Sequence, residues 1–262
     1  MRRARTAWRR SRARAPHRRQ RGGRGGSPGD RNELRVGADS AGPPRLDLNR
    51  KLAGWFALVG AVSVVSYAGR FTAGKPPKNA LYLYGTAASE LILFAIILAL
   101  VFWIARGLPK REAFALRRPD SWGRAVGLAI AVFIAIAIAN AALNPLLHGG
   151  REQGLTPSGW EPRHAAAFAL NLFAFSIVGP VAEELTFRGL GFYLLQPYGQ
   201  TAAIVVIGIT FGLWHGLVEA LPVLIIFGTG LAFLRSRTGS IFPGIILHAT
   251  FNGAALILAV TT

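Results

Sequence analysis

The sequence predicts an all-α membrane protein: a polytopic bundle of about seven transmembrane helices behind a disordered basic tail. Three observations carry that expectation. Hydrophobic types fill 52% of the 262 positions and charged types only 16%, more apolar surface than one soluble core of this length needs, so the excess must face lipid. Several uncharged runs approach or reach the ~17 to 25 residues that cross the hydrocarbon layer. Positive charge is concentrated at one end: ahead of Leu52 stand 16 Lys and Arg against 4 Asp and Glu, which accounts for +12 of the net +18.

The stretch from Arg2 to about Arg50 is rich in Arg, Gly, Pro and Ser and has too few large apolar side chains to offset the entropy of ordering it. The expected division is therefore a disordered tail at 1–50 and a membrane domain at 51–262. The pairs Arg2-Arg3, Arg9-Arg10 and Arg18-Arg19 could bind RNA or acidic headgroups. A solvated cytoplasmic tail with no nucleic-acid partner is the simpler expectation. The tail does not resemble a cleavable signal peptide, since no apolar stretch closely follows its basic beginning. Cysteine is absent, which excludes disulfides, thiolate metal sites and a thiol nucleophile.

The first apolar segment runs from Leu52 to Ala68, with Trp55 and Tyr67 expected as interface anchors. A second covers about Leu81 to Ala105 and a third Ala125 to Leu147. A fourth begins near Ala165, and three more follow at about Thr201 to Trp214, Leu217 to Leu234 and Ile241 to Val260. Cytoplasmic loops retain Lys and Arg. The basic loop with Arg106, Lys110, Arg111, Arg117, Arg118 and Arg124, together with Arg235 and Arg237, therefore belongs on the same side as the tail. That places the N-terminus in the cytoplasm and the protein in the cell membrane. The weaker cluster Arg70, Lys75 and Lys78 opposes this orientation.

Ionisable groups inside a membrane helix are costly, so each one needs a reason. Here they are Glu183, Glu184 and Arg188 in VAEELTFRGL, His215 in FGLWHG, and His248 with Asn252 in HATFNG. Glu184 and Arg188 are four apart, share a helix face and can form an ion pair. Glu183 points about 100° away and is left for a second task. His248 and Asn252 share a face, as do Phe211 and His215, whose ring is placed to pack beside the imidazole. Singly, each group could serve helix packing; together, on three separate apolar helices, they read as a site.

The apolar segments hold no G-x-S-x-G nucleophile, and the sequence has no cysteine and no H-E-x-x-H zinc pattern, so water must be the nucleophile. A desolvated carboxylate acts as general base with a histidine assisting. A second histidine and an amide can stabilise an oxyanion. The inventory matches amide hydrolysis. Glu90 lies one turn inside the second segment, where it is expected to reach the interface rather than act in catalysis.

EELTFR, FGLWH and HATFN fit, in order, the E-E-x-x-x-R, F-x-x-x-H and H-x-x-x-N motifs, and over about 165–260 the chain resembles the CAAX prenyl protease and bacteriocin-processing (CPBP, Abi, Rce1-like) family. The resemblance implies an Rce1-like helical bundle acting as an intramembrane endopeptidase on a membrane-associated protein or peptide in the lipid bilayer. In it Glu183 and His215 would activate water and His248 and Asn252 would form the oxyanion site, with Glu184, Arg188 and Phe211 supporting. It also favours a site without cofactor. Zinc, if present, would use Glu183, His215 and His248. A non-catalytic binding or immunity protein would use the same polar cavity. For Glu183 to reach His215, the fourth helix must run from about Ala165 to Gln196, kinked at Gly179-Pro180, around a cavity expected to open toward the cytoplasm.

Overall fold

The computed structural model describes residues 45–73, 79–147 and 159–261. The tail expected at 1–50 lies outside them except for its last six residues, which are helical. Among the described residues there are helices and turns and no strand. In chain order the elements are α1 (Arg45–Ala73), α2 (Tyr84–Ile104), the short α3 (Lys110–Ala113) and α4 (Trp122–Leu147). The continuous helical segment α5 (Pro162–Tyr198), α6 (Gln200–Trp214), α7 (Leu221–Thr238) and α8 (Phe242–Thr261) follow. Six of these are long and apolar enough to cross a membrane, and α6 is a shorter apolar helix. All seven sequence segments are thus accounted for.

The helix ends sort into two groups, as antiparallel crossing requires. At one end Lys51 Nζ donates to Arg106 O at 2.8 Å, Tyr198 Oη to Asn49 Oδ1 at 3.1 Å, and Arg117 Nε to Gly239 O at 2.7 Å. This basic end joins the start of α1, the loop after α2, the α5–α6 corner and the α7–α8 turn. At the other end Tyr67 Oη donates to Leu217 O at 3.3 Å, Tyr82 Oη to Gly159 O at 2.7 Å, and Asn171 Nδ2 to Leu81 O and Leu83 O at 3.1 and 3.0 Å. The segment after α3 plugs the basic end. Phe114 is buried against Gly189, and Ala115 O accepts from Ile241 N at 3.2 Å.

α5 is not a uniform α-helix. Residues Ala174–Val178 and Leu185–Gly191 are π-helical, flanking the α-turn Gly179–Glu184. Pro180 lacks the N–H an α-helix needs, and the wider π turn just before it takes up the mismatch. Two π turns therefore stand where a kink at Gly179-Pro180 was expected.

Trp55 corrects a second expectation. It is no lipid-interface anchor: it is fully buried, and its Nε1 donates to Thr186 O, within the second π turn, at 2.9 Å. The indole fits because Gly191 has no side chain; a Cβ there would lie 2.5 Å from Trp55 Cζ2 and 2.9 Å from Ile207 Cδ1. α6 and α7 pack closely for the same reason. A Cβ at Gly212 would lie 2.6 Å from Ile225 Cγ1, and one at Gly208 would strike Thr229. Small residues let helix backbones approach where lipid provides no hydrophobic drive for association.

Gly191→Ala is expected to destabilise the protein by about 1–3 kcal/mol through overpacking against Trp55. Gly85→Ala, where an added Cβ meets nothing within 4 Å, should leave it unchanged. Apparent melting temperatures in detergent check both.

Candidate active site

α6 has 15 residues, or about 22 Å at ~1.5 Å per residue, short of the ~30 Å hydrocarbon layer. An apolar helix this short leaves its last carbonyls to be satisfied by the protein itself. His215 resolves this. It follows the last helical residue, and its Nδ1 lies 2.8 Å from Phe211 O, so the ring itself caps the helix. His215 N and Gly216 N donate to Gly212 O and Leu213 O at 3.4 and 3.3 Å. Gly216 then turns the chain away at φ +64°, with Ser66 backbone 2.6 Å from where a Cβ would stand, so only glycine fits.

A carbonyl only accepts, so His215 Nδ1 carries a proton and Nε2 faces the site. Opposite it, Glu183 Oε2 lies 4.0 Å from His215 Nε2 and 3.7 Å from His248 Nε2. That oxygen has no hydrogen-bond donor among the described residues. The expectation that Glu183 and His215 come together within one bridging water is met in geometry. α5 supplies the carboxylate, the end of α6 one imidazole and α8 the other.

Glu184 is turned the other way and is completely buried with Arg188. Its Oε1 accepts from Arg188 Nη1 at 3.0 Å and lies 3.2 Å from His248 Nδ1. Arg188 Nη2 donates to Gly228 O at 2.8 Å, and the guanidinium sits 4.4 Å from the Phe211 ring centroid. Both imidazoles are thus held through Nδ1, one by a backbone carbonyl and one by a carboxylate, and both present Nε2 to Glu183. The Phe211 and His215 rings pack at 4.8 Å, as their spacing predicts, and Phe227 packs on His248 at 5.0 Å.

Asn252 is drawn toward α5 rather than toward Glu183: its Nδ2 donates to Phe175 O, in the first π turn, at 3.1 Å. One amide N–H is thereby occupied. Glu90 on α2 is half-buried and close enough to Glu183 for their charges to interact, a proximity that its place in the sequence did not disclose. Motif reading also missed Gly244 and Gly228. A Cβ at Gly244 would lie 2.6 Å from Glu184 Oε2, and one at Gly228 would lie 2.9 Å from Phe211 Cβ. Gly244 stands four residues before His248, on the same helix face, and that spacing was the available signal.

The candidate catalytic side chains differ in exposure. His215, at the far end of α6, is the most accessible of the group with 24% of its side chain exposed, against 13% for Glu183 and 3% for His248. As zinc ligands, Glu183, His215 and His248 form the chemically suitable set. However, ligand atoms at tetrahedral zinc stand only about 3.3 Å apart at ordinary bond lengths. Among the described residues no three His, Cys, Asp or Glu are grouped to hold a metal.

Residues 165–254 match the model of the Type II CAAX prenyl endopeptidase Rce1-like family. Over 193 residues the chain is 31% identical to the Bacillus subtilis (strain 168) protein named "Putative membrane peptidase YdiL", covering 71% of this chain and 77% of that one. No solved structure matches it significantly. The helical fold, the motifs and these matches define a multi-pass membrane protease. The chain belongs to the Rce1-like family of type II CAAX prenyl endopeptidases.

Removing one partner of a buried ion pair leaves an uncompensated charge. Arg188→Met should therefore cost about 3–5 kcal/mol, seen as a lowered melting temperature and reduced recovery from membranes. Adding Glu184→Gln should restore part of that stability.

Proposed function

We propose that the chain is an intramembrane endopeptidase that cleaves a membrane-associated protein or peptide. In this reading Glu183 and His215 activate water, and His248 and Asn252 stabilise the oxyanion. The observation that supports it most is the 4.0 Å separation of Glu183 Oε2 from His215 Nε2. In the neutral ring both atoms are acceptors, so a species with protons must lie between them. A water hydrogen-bonded to each at ~2.8 Å spans about 4.4 Å.

The steps follow from that placement. Glu183 takes a proton from the water as its oxygen bonds to the scissile carbonyl carbon, and the carbonyl oxygen becomes an oxyanion. His248 donates to it through Nε2 when that nitrogen carries a proton, and Asn252 through its remaining N–H. Collapse breaks the C–N bond, and the proton held by Glu183 passes to the leaving amine. Glu184 and Arg188 keep His248 Nε2 aimed at the reacting centre. The reading is metal-free, supported by imidazole–carboxylate separations wider than a zinc ligand set. With the basic helix ends in the cytoplasm, the N-terminus is cytoplasmic, in the plasma membrane of the cell.

Purified protein in detergent or nanodiscs is expected to cleave a membrane-associated peptide. Glu183→Ala should lower the rate by about 10² or more with an unchanged melting profile; parental activity in this variant would sink the assignment. Asn252→Ala should cost about 10² to 10³ in kcat. Strong chelation should leave most of the activity, and stoichiometric zinc lost together with activity would overturn the metal-free mechanism. If a Glu183→Ala, His215→Ala double variant keeps biological function in a deletion strain, a binding role replaces hydrolysis.

A further inference from the structure

Outside the Glu183 site, the basic end holds a cavity of about 310 Å³ bordered by Arg117, Arg235, Gln196, Gln200, Ser236 and Phe192. That volume is at the low end of the ~300–1,000 Å³ usual for small-molecule sites. No acidic side chain lines it. Arg235 is only 5% exposed, yet among the described residues neither it nor Arg117 has a carboxylate within ion-pair distance. The two cations also feel each other's charge. A buried charge without a counter-ion is costly.

Both guanidiniums are fixed through Nε. Arg235 Nε donates to Arg188 O at 3.2 Å and Arg117 Nε to Gly239 O at 2.7 Å, which leaves the terminal N–H donors of each for a ligand. Phe192 lies 5.2 Å from the Arg235 guanidinium, and a Cβ at Gly239 would lie 2.8 Å from Arg117 Nη2, so the turn is open for that arginine to cross. α6 starts at Gln200 with no side-chain cap, which adds unpaired N–H groups and the positive end of a helix dipole.

A second observation says what kind of anion this is. An apolar groove of about 510 Å³ between α4, α6 and α7 is lined by Val132, Ile136, Ile204, Ile226 and Phe233, among others. Ile204 is four residues beyond Gln200 and Phe233 three before Ser236, so on both helices the groove is one turn deeper on the cavity's own face. We propose that this cavity binds the phosphate of an anionic phospholipid headgroup, with one acyl chain lying in the apolar groove beneath it. Guanidinium forks chelate phosphate oxygens. The cavity lies where the membrane helices end, at headgroup level, and the cytoplasmic leaflet is the anionic one.

The test is native mass spectrometry of the full chain in detergent, titrated with phosphatidylglycerol, phosphatidylcholine or inorganic phosphate. One phosphatidylglycerol per chain should be retained about tenfold more tightly than phosphatidylcholine, and Arg117→Gln should lower its retention about tenfold. Arg235→Gln should do the same if it folds; Arg117, being exposed, keeps the test decisive if it does not. Ile204→Trp, which fills the groove, should also weaken retention. Equal retention of the two lipids, or undiminished retention in Arg117→Gln, overturns the site. Displacement by inorganic phosphate at equal concentration would make it a free-anion site. Displacement by a peptide with a free but not an amidated C-terminus would make it a substrate site, and either result overturns the lipid assignment. The readout needs no cleavage, so it stands or falls separately from the peptidase reading.

Discussion

The organisation of this protein depends on neutralising charge where no water can do it. Glu184 and Arg188 have no exposed surface at all, and an isolated ion there would be prohibitively expensive. The solution recruits three neighbours of α5. α7 contributes Gly228 O, α6 the face of Phe211, and α8 the Nδ1 of His248. An ion pair that begins as a local i, i+4 contact thereby becomes the point where four helices meet. Because Glu184 is shared between Arg188 and His248, the orientation of one imidazole is set by the same atoms that make the charge tolerable. Its neighbour Glu183, turned about 100° around the helix, is left without such a partner and faces both rings.

Such close convergence is possible only with little side chain between the helices. Gly208 and Gly212 on α6, Gly228 on α7 and Gly244 on α8 each stand where a Cβ would strike another helix or the buried carboxylate. In lipid the contacts that hold helices together are short-range, so the polar centre and the glycine seams form one construction. The π turns of α5 belong to it as well. They contain Phe175 O, which Asn252 uses, and Thr186 O, which Trp55 uses, and π turns are frequent where a helix carries function.

Much of this was legible beforehand, for a physical reason. Apolar runs interrupted by a few ionisable residues are so costly in a membrane that the interruptions stand out, and the spacings 184/188 and 211/215 announced the ion pair and the ring contact that the structure has. What could not be read was anything set by the approach of two distant segments. Trp55 looked like an interface anchor because its position near a segment end is all that the local pattern shows; its burial depends on Gly191, 136 positions away. The docking of Phe114 and Ala115 at the basic end was equally hidden, because a loop's tertiary docking leaves no period in the sequence. The pairing of His248 with Glu184, rather than with Glu183 alone, likewise required the backbone.

The shortness of α6 reaches beyond the site itself. A 15-residue apolar helix is a weak signal for partitioning into a bilayer on its own, and its far end exposes carbonyls until His215 folds back on Phe211. α7 is the partner against which its glycines fit, and only a brief turn separates the two. The burial of α6 therefore depends on its hairpin partner α7, whose side chains occupy the space left by Gly208 and Gly212. The position of His215 is thus set by how α6 packs on α7 as well as by its own bond to Phe211 O, so a substitution at that glycine seam acts on the imidazole without touching it.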